Sequence, residues 1–351
     1  MYDNPIEEAR RQAQICNSCR YCESYCSVFP ALHANRVFSD GDMVQLANLC
    51  HNCQNCYYAC QYTEPHEFAL NLPGVLAEVR QDSWEETAFP ASFGRAFHHH
   101  GTLIAIATIL GMALLFWAAR SLPADGEGFY AVLSHNALVA IFLPAFLFPV
   151  VALAVGLRRY WSKVGGERLR LSQLITAFGS AGRMKNLAGG HGEGCNFEDE
   201  DRFSQGRRHM HQAVMYGFLL CFAATASGTI LHYVFDMPAP YRFFSLPKLL
   251  GVSGGILLCL GTLGLMRLKM KSAPELQDQR VRGGEFGFIL LLFVVSLSGL
   301  ALYVFGATPA LELLLALHLG AVLAFFLLTP YSKMAHGFYR LAALARDAQR
   351  T

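Results

Sequence analysis

Charge is what this chain has least of. Asp, Glu, Lys and Arg make up only 15% of its 351 residues, against 53% hydrophobic, which is not the balance of an ordinary soluble protein. The net charge is +2 and no basic tract with interleaved aromatics occurs, so a nucleic-acid partner is not expected. The first 15 residues, MYDNPIEEARRQAQI, hold no apolar stretch of the kind a signal peptide needs, and the N-terminus is expected in the cytoplasm. No strand pattern stands out. The glycines of 183–208 neither follow a strand nor open a clear helix, which argues against a dinucleotide fingerprint. That segment reads as a mobile cytoplasmic loop touching the rest of the protein or a partner. A candidate nucleophile and a catalytic triad are also missing.

Cysteine, by contrast, is plentiful. Eight of the 11 cysteines fall in two rows, Cys16, Cys19, Cys22, Cys26 and Cys50, Cys53, Cys56, Cys60, each spaced C-x2-C-x2-C-x3-C. In a reducing compartment such rows read as metal ligands rather than disulfides. Thiolates three residues apart can curl around one [4Fe–4S] cubane, and the fourth, after a longer gap, reaches the other cluster. The expected sets are Cys16, Cys19, Cys22 with Cys60, and Cys50, Cys53, Cys56 with Cys26. Structural zinc uses paired knuckles separated by a longer stretch, which this doubled run fits poorly. The bacterial ferredoxin run has Pro directly after its fourth cysteine; here Ser27 and Gln61 stand there. A head of this kind is expected to have little hydrophobic core and to draw much of its folding energy from metal. Cys195, Cys221 and Cys259 are isolated and read as small buried or loop residues.

Residues 1–95 read as a water-soluble, cytoplasmic α-helical head holding 12 acidic and 6 basic residues. FSDGDMVQLANL (38–49) is expected to be a helix capped near Ser39 or Asp40. PHEFALNLPGVLAEVR (65–80) reads as further helix interrupted at Pro73. Residues 96–340 read as a six-helix membrane domain of cytochrome b-like type. Its spans lie at about 98–118, 132–156, 211–234, 247–267, 285–305 and 310–330, each long enough for ~30 Å of hydrocarbon at ~1.5 Å per residue. The segment 157–210 holds ten Lys/Arg, 268–284 holds four and the tail 331–351 holds four, while the alternate loops hold almost none. The positive-inside rule therefore places head, 157–210 loop and tail together in the cytoplasm.

Histidines carry the next signal, because an ionisable residue within a span marks function by default. His318 lies inside the sixth span and His336 just past it, 18 residues on and so on the same helix face at ~100° per residue. His211 and His232, at the ends of the third span, fall within about 60° of each other by the same rule. The two spans are antiparallel. His211 then shares the cytoplasmic side with His336, and His232 shares the outer half with His318, an arrangement that suits two stacked bis-histidine b-haems. Of His98, His99 and His100 only one can face the bundle, and His100 is expected to. His135 is a further alternative ligand. His33, His51 and His66 read as ordinary polar side chains, and His191 and His209 receive no role.

Three stretches, ICNSCRYCESYCSVFPAL, LCHNCQNCYYACQYTEPHEFALNLP and HQAVMYGFLLCFAATASGTILHY, resemble the tricarballylate utilization protein B family, also called the CitB family. The resemblance runs over nearly the whole chain. Separately, LHLGAVLAFFLLTPYSKMAHGF (317–338) resembles the haem-ligating end of the respiratory nitrate reductase gamma subunit, which implies a ligand role for His318 and His336. The family resemblance implies a multi-pass protein of the bacterial inner membrane with iron–sulfur and b-haem groups. It implies a partner, a cytoplasmic FAD-dependent dehydrogenase converting tricarballylate to cis-aconitate, whose reduced flavin this chain reoxidises.

The combined expectation is an all-α electron relay. Two [4Fe–4S] clusters in the ferredoxin-like head and one or two b-haems in the bundle would lead to a quinone acceptor. The chain would be a redox subunit, not a stand-alone dehydrogenase. Arg95, His100 and Lys333 stand near the cytoplasmic interface as candidates for the quinone site. Rival readings are a relay for a different flavoprotein or thiol-linked reductase, and a redox sensor or organic-acid transporter. A transporter predicts charged or unwound residues midway through the spans. The spans hold no such charge beyond Glu312 near an end, and glycines such as those of GVSGG (251–255) suit helix contacts.

Overall fold

A computed structural model of the chain describes residues 3–120, 128–189, 192–195 and 202–350. Among them there is no strand, only an isolated antiparallel bridge between Cys195 and Ser204. His191, part of the polar segment read above, lies outside the described residues.

The head is built from five helices. Helix α1, Pro5–Cys19, starts with Pro5 in its first turn and the Asn4 side chain accepting from the Glu7 amide, and it stops at Arg20 in the left-handed region. After α2, Val28–His33, helix α3, Asp40–Leu49, opens on a capping box in which Ser39 and Asp42 satisfy each other's amides. Short α4, Asn55–Tyr58, is followed by α5, Leu72–Thr87. Pro73 sits in the first turn of α5, where its missing N–H costs nothing. It therefore begins that helix instead of interrupting it, and 65–71 is turn and irregular chain.

The expectation of a weak head core is corrected. Leu32, Met43, Leu46, Leu49, Val75 and Leu76 are almost completely removed from solvent in one cluster with residues of the membrane helices and the tail. Apolar side chains of α3 and α5 supply what the cysteine segments lack.

Six helices are long and apolar enough to cross a membrane: α6 (Ala91–Ala119), α7 (His135–Lys163), α9 (Gly206–Phe235), α10 (Leu246–Lys271), Gln279–Phe305 with α11 (Arg282–Phe305) as its regular part, and α12 (Leu311–Leu328). Their composition makes the chain a multi-pass membrane protein. In lipid no hydrophobic effect drives helices together, so close approach through small residues does. A side chain at Gly101 of α6 would collide with Gly284 of α11, one at Gly217 of α9 would stand 2.7 Å from the Leu258 amide of α10, and one at Gly320 would stand 2.5 Å from the Ala113 amide. These glycines set which helices are neighbours. α9 packs along α10, while α12 packs against α6, α11 and α7.

The polar segment and the tail are more ordered than expected. Helix α8, Leu171–Arg183, lies inside the segment read as a loop and buries Ala177 near the tail helix α13, Ala335–Asp347. Helix α13 packs on α3, α7 and α8. Gln45 of α3 donates to the Ala343 carbonyl at 2.8 Å and accepts from the Tyr160 hydroxyl of α7 at 2.8 Å, and Thr87 shares a 2.8 Å hydrogen bond with Tyr339. The head is thereby seated on the ends of the membrane helices by buried polar contacts.

Candidate metal centres

The last turn of α1 carries Cys16 and Cys19, and the reversal at Arg20 turns the chain back so that Cys22 faces them. In the second row, Cys50 caps α3, and Asn52 and Gln54 on either side of Cys53 adopt left-handed backbone. These turns curl each row instead of letting it run on as helix. Cys16, Cys19, Cys22 and Cys60 line a cavity of about 320 Å³ that Cys56 of the second row also borders, with Tyr21, Tyr57 and Tyr62 at its walls. Cys26, Cys50, Cys53 and Cys56 form the second set, each within electrostatic reach of others in it.

The thiols are in poor surroundings for thiolates. Burial first, and then the neighbouring thiols, push Cys16 and Cys22 up to about 12, and Cys26 and Cys56 lie well above the ordinary range. Several anionic sulfurs cannot share such a site without a positively charged core between them, and a bound metal group inverts that balance. Backbone amides already point at the sulfurs, from Asn52 to Cys50 and from Tyr62 to Cys60, both at 3.4 Å. Among the described residues no three Cys, His, Asp or Glu side chains converge tightly enough for a single ion. The donor set, four thiols around a volume, fits a cluster.

The two sets differ in cover. Cys19 is exposed and Tyr21 is 68% exposed beside it. Over the second set lie Met184, Leu187, Cys195 and Met215, packed with Cys53. The segment carrying them is pinned by Asn186 donating to Ser27 Oγ at 2.6 Å and Asn55 donating to the Gly194 carbonyl at 2.9 Å. Cys195 is a small buried residue of this cover.

Histidines continue inward from the second set. His51, read from sequence as an ordinary polar residue, adjoins Cys50. Its Nδ1 donates to the Leu49 carbonyl at 2.8 Å, and it lies within electrostatic reach of Arg340, His211 and Arg207. Its place next to a cysteine of the row was the signal. The His211 and His336 rings stand 5.7 Å apart and nearly perpendicular. His336 Nδ1 donates to the Lys333 carbonyl, which leaves Nε2 with a lone pair. Burial and the charge of Arg340 hold His336 well below the ordinary range, so it is neutral, the form that ligates a metal. His211 Nδ1 is buried without a hydrogen-bond partner.

The outer histidines make separate contacts. His232 stacks on His135 at 4.3 Å, and His135 Nε2 lies 2.9 Å from the Tyr233 hydroxyl. His318 instead faces α11, with Nδ1 3.1 Å from Ser298 Oγ and its ring filling the space that Gly299 leaves. Among the described residues no ring contact joins His232 to His318. The cause is helix packing, since the outer end of α9 meets α7 through these rings, whereas α12 packs against α6 and α11. Sequence phase gives the face of a helix but not its neighbour.

The cytoplasmic end of α6 also differs. His98, not His100, is buried, bonded to Gln81 and to Glu85 Oε1 at 3.1 Å, while His99, His100 and Arg95 are exposed. The helix is distorted at His100, next to the close approach of Gly101 to Gly284. Lys333 is engaged rather than open. It pairs with Glu285, which also pairs with Lys269, and stands 5.3 Å over the Trp84 ring.

Comparison with known proteins now adds a family. Residues 97–351 match the model described as citrate utilization protein B, and residues 9–86 match its Fer4-like domain. The chain belongs to the citrate utilization protein B family. It is 42% identical to citrate utilization protein B of Escherichia coli, an alignment covering 98% of this chain and 92% of that protein. No solved structure matches. The Fer4-like domain and six apolar helices make this family member an iron–sulfur membrane protein with an electron-transfer character.

Proposed function

We propose that the chain carries electrons from a reduced cytoplasmic flavoprotein dehydrogenase, of the tricarballylate-oxidising kind, to membrane quinone. The carrying observation is the order of groups. A thiol set open at Cys19, a thiol set covered by Met184 and Leu187, and a facing pair of half-buried histidines within electrostatic reach of His51 support that order. When bound, two [4Fe–4S] clusters and b-haem supply one-electron acceptance and release. Cys16, Cys19, Cys22 and Cys60 would hold the outer cluster, with Cys19 at the edge a docked flavin can approach. Cys26, Cys50, Cys53 and Cys56 would hold the inner one, screened from water by Met184 and Leu187. His211 and His336 would ligate a haem on the side of the head, and His51 bridges the space between. His318 and His232 are further haem ligands in this reading, each with a partner other than the other. In this reading head and tail lie on the cytoplasmic side of a bacterial inner membrane, an orientation that the positive loops support.

Anaerobic purification in detergent, followed by iron, sulfide and haem analysis and a dithionite-reduced spectrum, tests this. About eight non-haem irons with a b-type α-band are expected. Zinc in place of iron, or iron without haem, would overturn the relay.

A further inference from the structure

Two arginines meet at the backbone of the inner thiol set. Arg80 Nη1 and Arg340 Nη2 both donate to the carbonyl oxygen of Cys50, at 3.0 and 2.7 Å. Arg80 also reaches the Ala47 carbonyl at 3.2 Å, and Arg340 the Asn48 carbonyl at 3.4 Å. Arg80 is 7% exposed and Arg340 half-buried. Among the described residues neither has a carboxylate at ion-pair distance. Two guanidinium groups on one carbonyl repel each other, and burial without a counter-ion is costly. What offsets such a pair is negative charge at the sulfurs, which four thiolates on a cluster supply.

Among the described residues the outer set has no such pair. The thiols Cys16 and Cys22 respond to burial and to one another. Tyr57 at its wall feels Glu275 and Glu64.

We infer that Arg80 and Arg340 are positioning residues that set the reduction potential of the inner cluster above that of the outer one. An electron that enters at the surface then comes to rest on the membrane side. The reason is electrostatic. Reduction adds one negative charge to a cluster, and fixed positive charge beside it in a poorly solvated site favours the reduced form. One electron leaves the outer centre and one arrives at the inner; no bond forms or breaks. This inference rests on the reading that both thiol sets hold clusters.

The test is an anaerobic redox titration of the full chain in detergent, followed by electron paramagnetic resonance. Cys19→Ser removes the outer centre and so assigns the signals. The signal surviving in that variant is expected to have the higher midpoint in the unaltered chain. Arg80→Gln and Arg340→Gln are expected to shift it downward and leave the outer signal in place, and Arg80→Lys and Arg340→Lys to restore most of the shift. An inner midpoint at or below the outer one overturns the inference. So does a shift common to both signals, or an equal shift in the Gln and Lys variants, which marks a structural effect without a charge effect. If the Gln variants lose their cluster, the order in the unaltered chain and the Lys variants still decide. A chain without iron would instead sink the cluster reading on which the inference stands.

Discussion

Two rows of identical spacing come to rest in unlike surroundings. The outer thiol set opens to solvent through Cys19 and Tyr21, and burial and neighbouring sulfurs dominate at Cys16 and Cys22. The inner set lies under Met184, Leu187 and Cys195, and Arg80 and Arg340 bond the backbone of Cys50. The C-x2-C-x2-C-x3-C run specifies a ligand set. What the set does depends on the residues that a distant part of the chain lays over it. In the proposed relay the outer set would meet a partner and the inner set would be shielded from water.

The sharpest way to break this comparison is to remove one ligand from each set. Cys50→Ser is expected to have the largest effect in the molecule. Cys50 is buried in the same apolar cluster as Met43 and Leu46, so losing the inner cluster leaves unpaired buried thiols in the core. Iron content should fall by about half and the yield of folded protein should drop. Cys19→Ser should also remove about half the iron but leave the folded yield near normal, because Cys19 is at the surface. Equal yields of the two variants would show that the inner set is no more embedded than the outer.

A second experiment moves the comparison into the membrane. His336→Ala should abolish the haem absorbance associated with the inner-side pair while iron and sulfide stay unchanged. His336 and His211 face each other and touch neither thiol set directly. His66→Ala, in the head and bonded to the Phe68 amide, should leave the haem spectrum untouched. Haem retained in full by His336→Ala would remove that ligand from the scheme.

A third, smaller effect tests the cover itself. Leu187 is 4% exposed over the inner set. Leu187→Ala should destabilise that cover by about 2–5 kcal/mol, allowing water and chelator to enter. The measurement is the rate of iron loss to a chelator under anaerobic conditions. The slow, inner phase should accelerate and the fast, outer phase should not.

Much of this was legible in the sequence for a physical reason. Spans are written as apolar runs of fixed length, and all six fall where the runs are. The Ser39 cap of α3 is local chemistry and could be read as such. What was missed depended on neighbours. Helices α8 and α13 are amphipathic, and their apolar faces look like loop and tail until they meet each other and α3 and α7 receive α13. Pro73 was taken for a break because its position within a helix is visible only once the start of α5 at Leu72 is known. The stacking of His232 on His135, and the burial of His98 instead of His100, follow from which helices touch. His51 was passed over because a histidine beside cysteines carries no spacing rule; the meaning comes from Arg340 and His211 across the interface.

The smallest expected effect separates the seat of the head from its metal sites. The Tyr160 hydroxyl donates to Gln45 Oε1 at 2.8 Å while Gln45 Nε2 holds the Ala343 carbonyl, and both side chains are fully buried. Tyr160→Phe keeps the ring and leaves the Gln45 oxygen without a donor, an unmet acceptor worth about 1–3 kcal/mol. The temperature of half-inactivation in detergent should fall by a few degrees, and iron, sulfide and haem should stay at the level of the unaltered chain. Neither thiol set lies on this contact. If Tyr160→Phe instead lost the inner cluster and kept the outer, the inner set would depend on how the head sits on α7 and α13. The difference between the two sets would then reach beyond their immediate cover into the docking of the whole head.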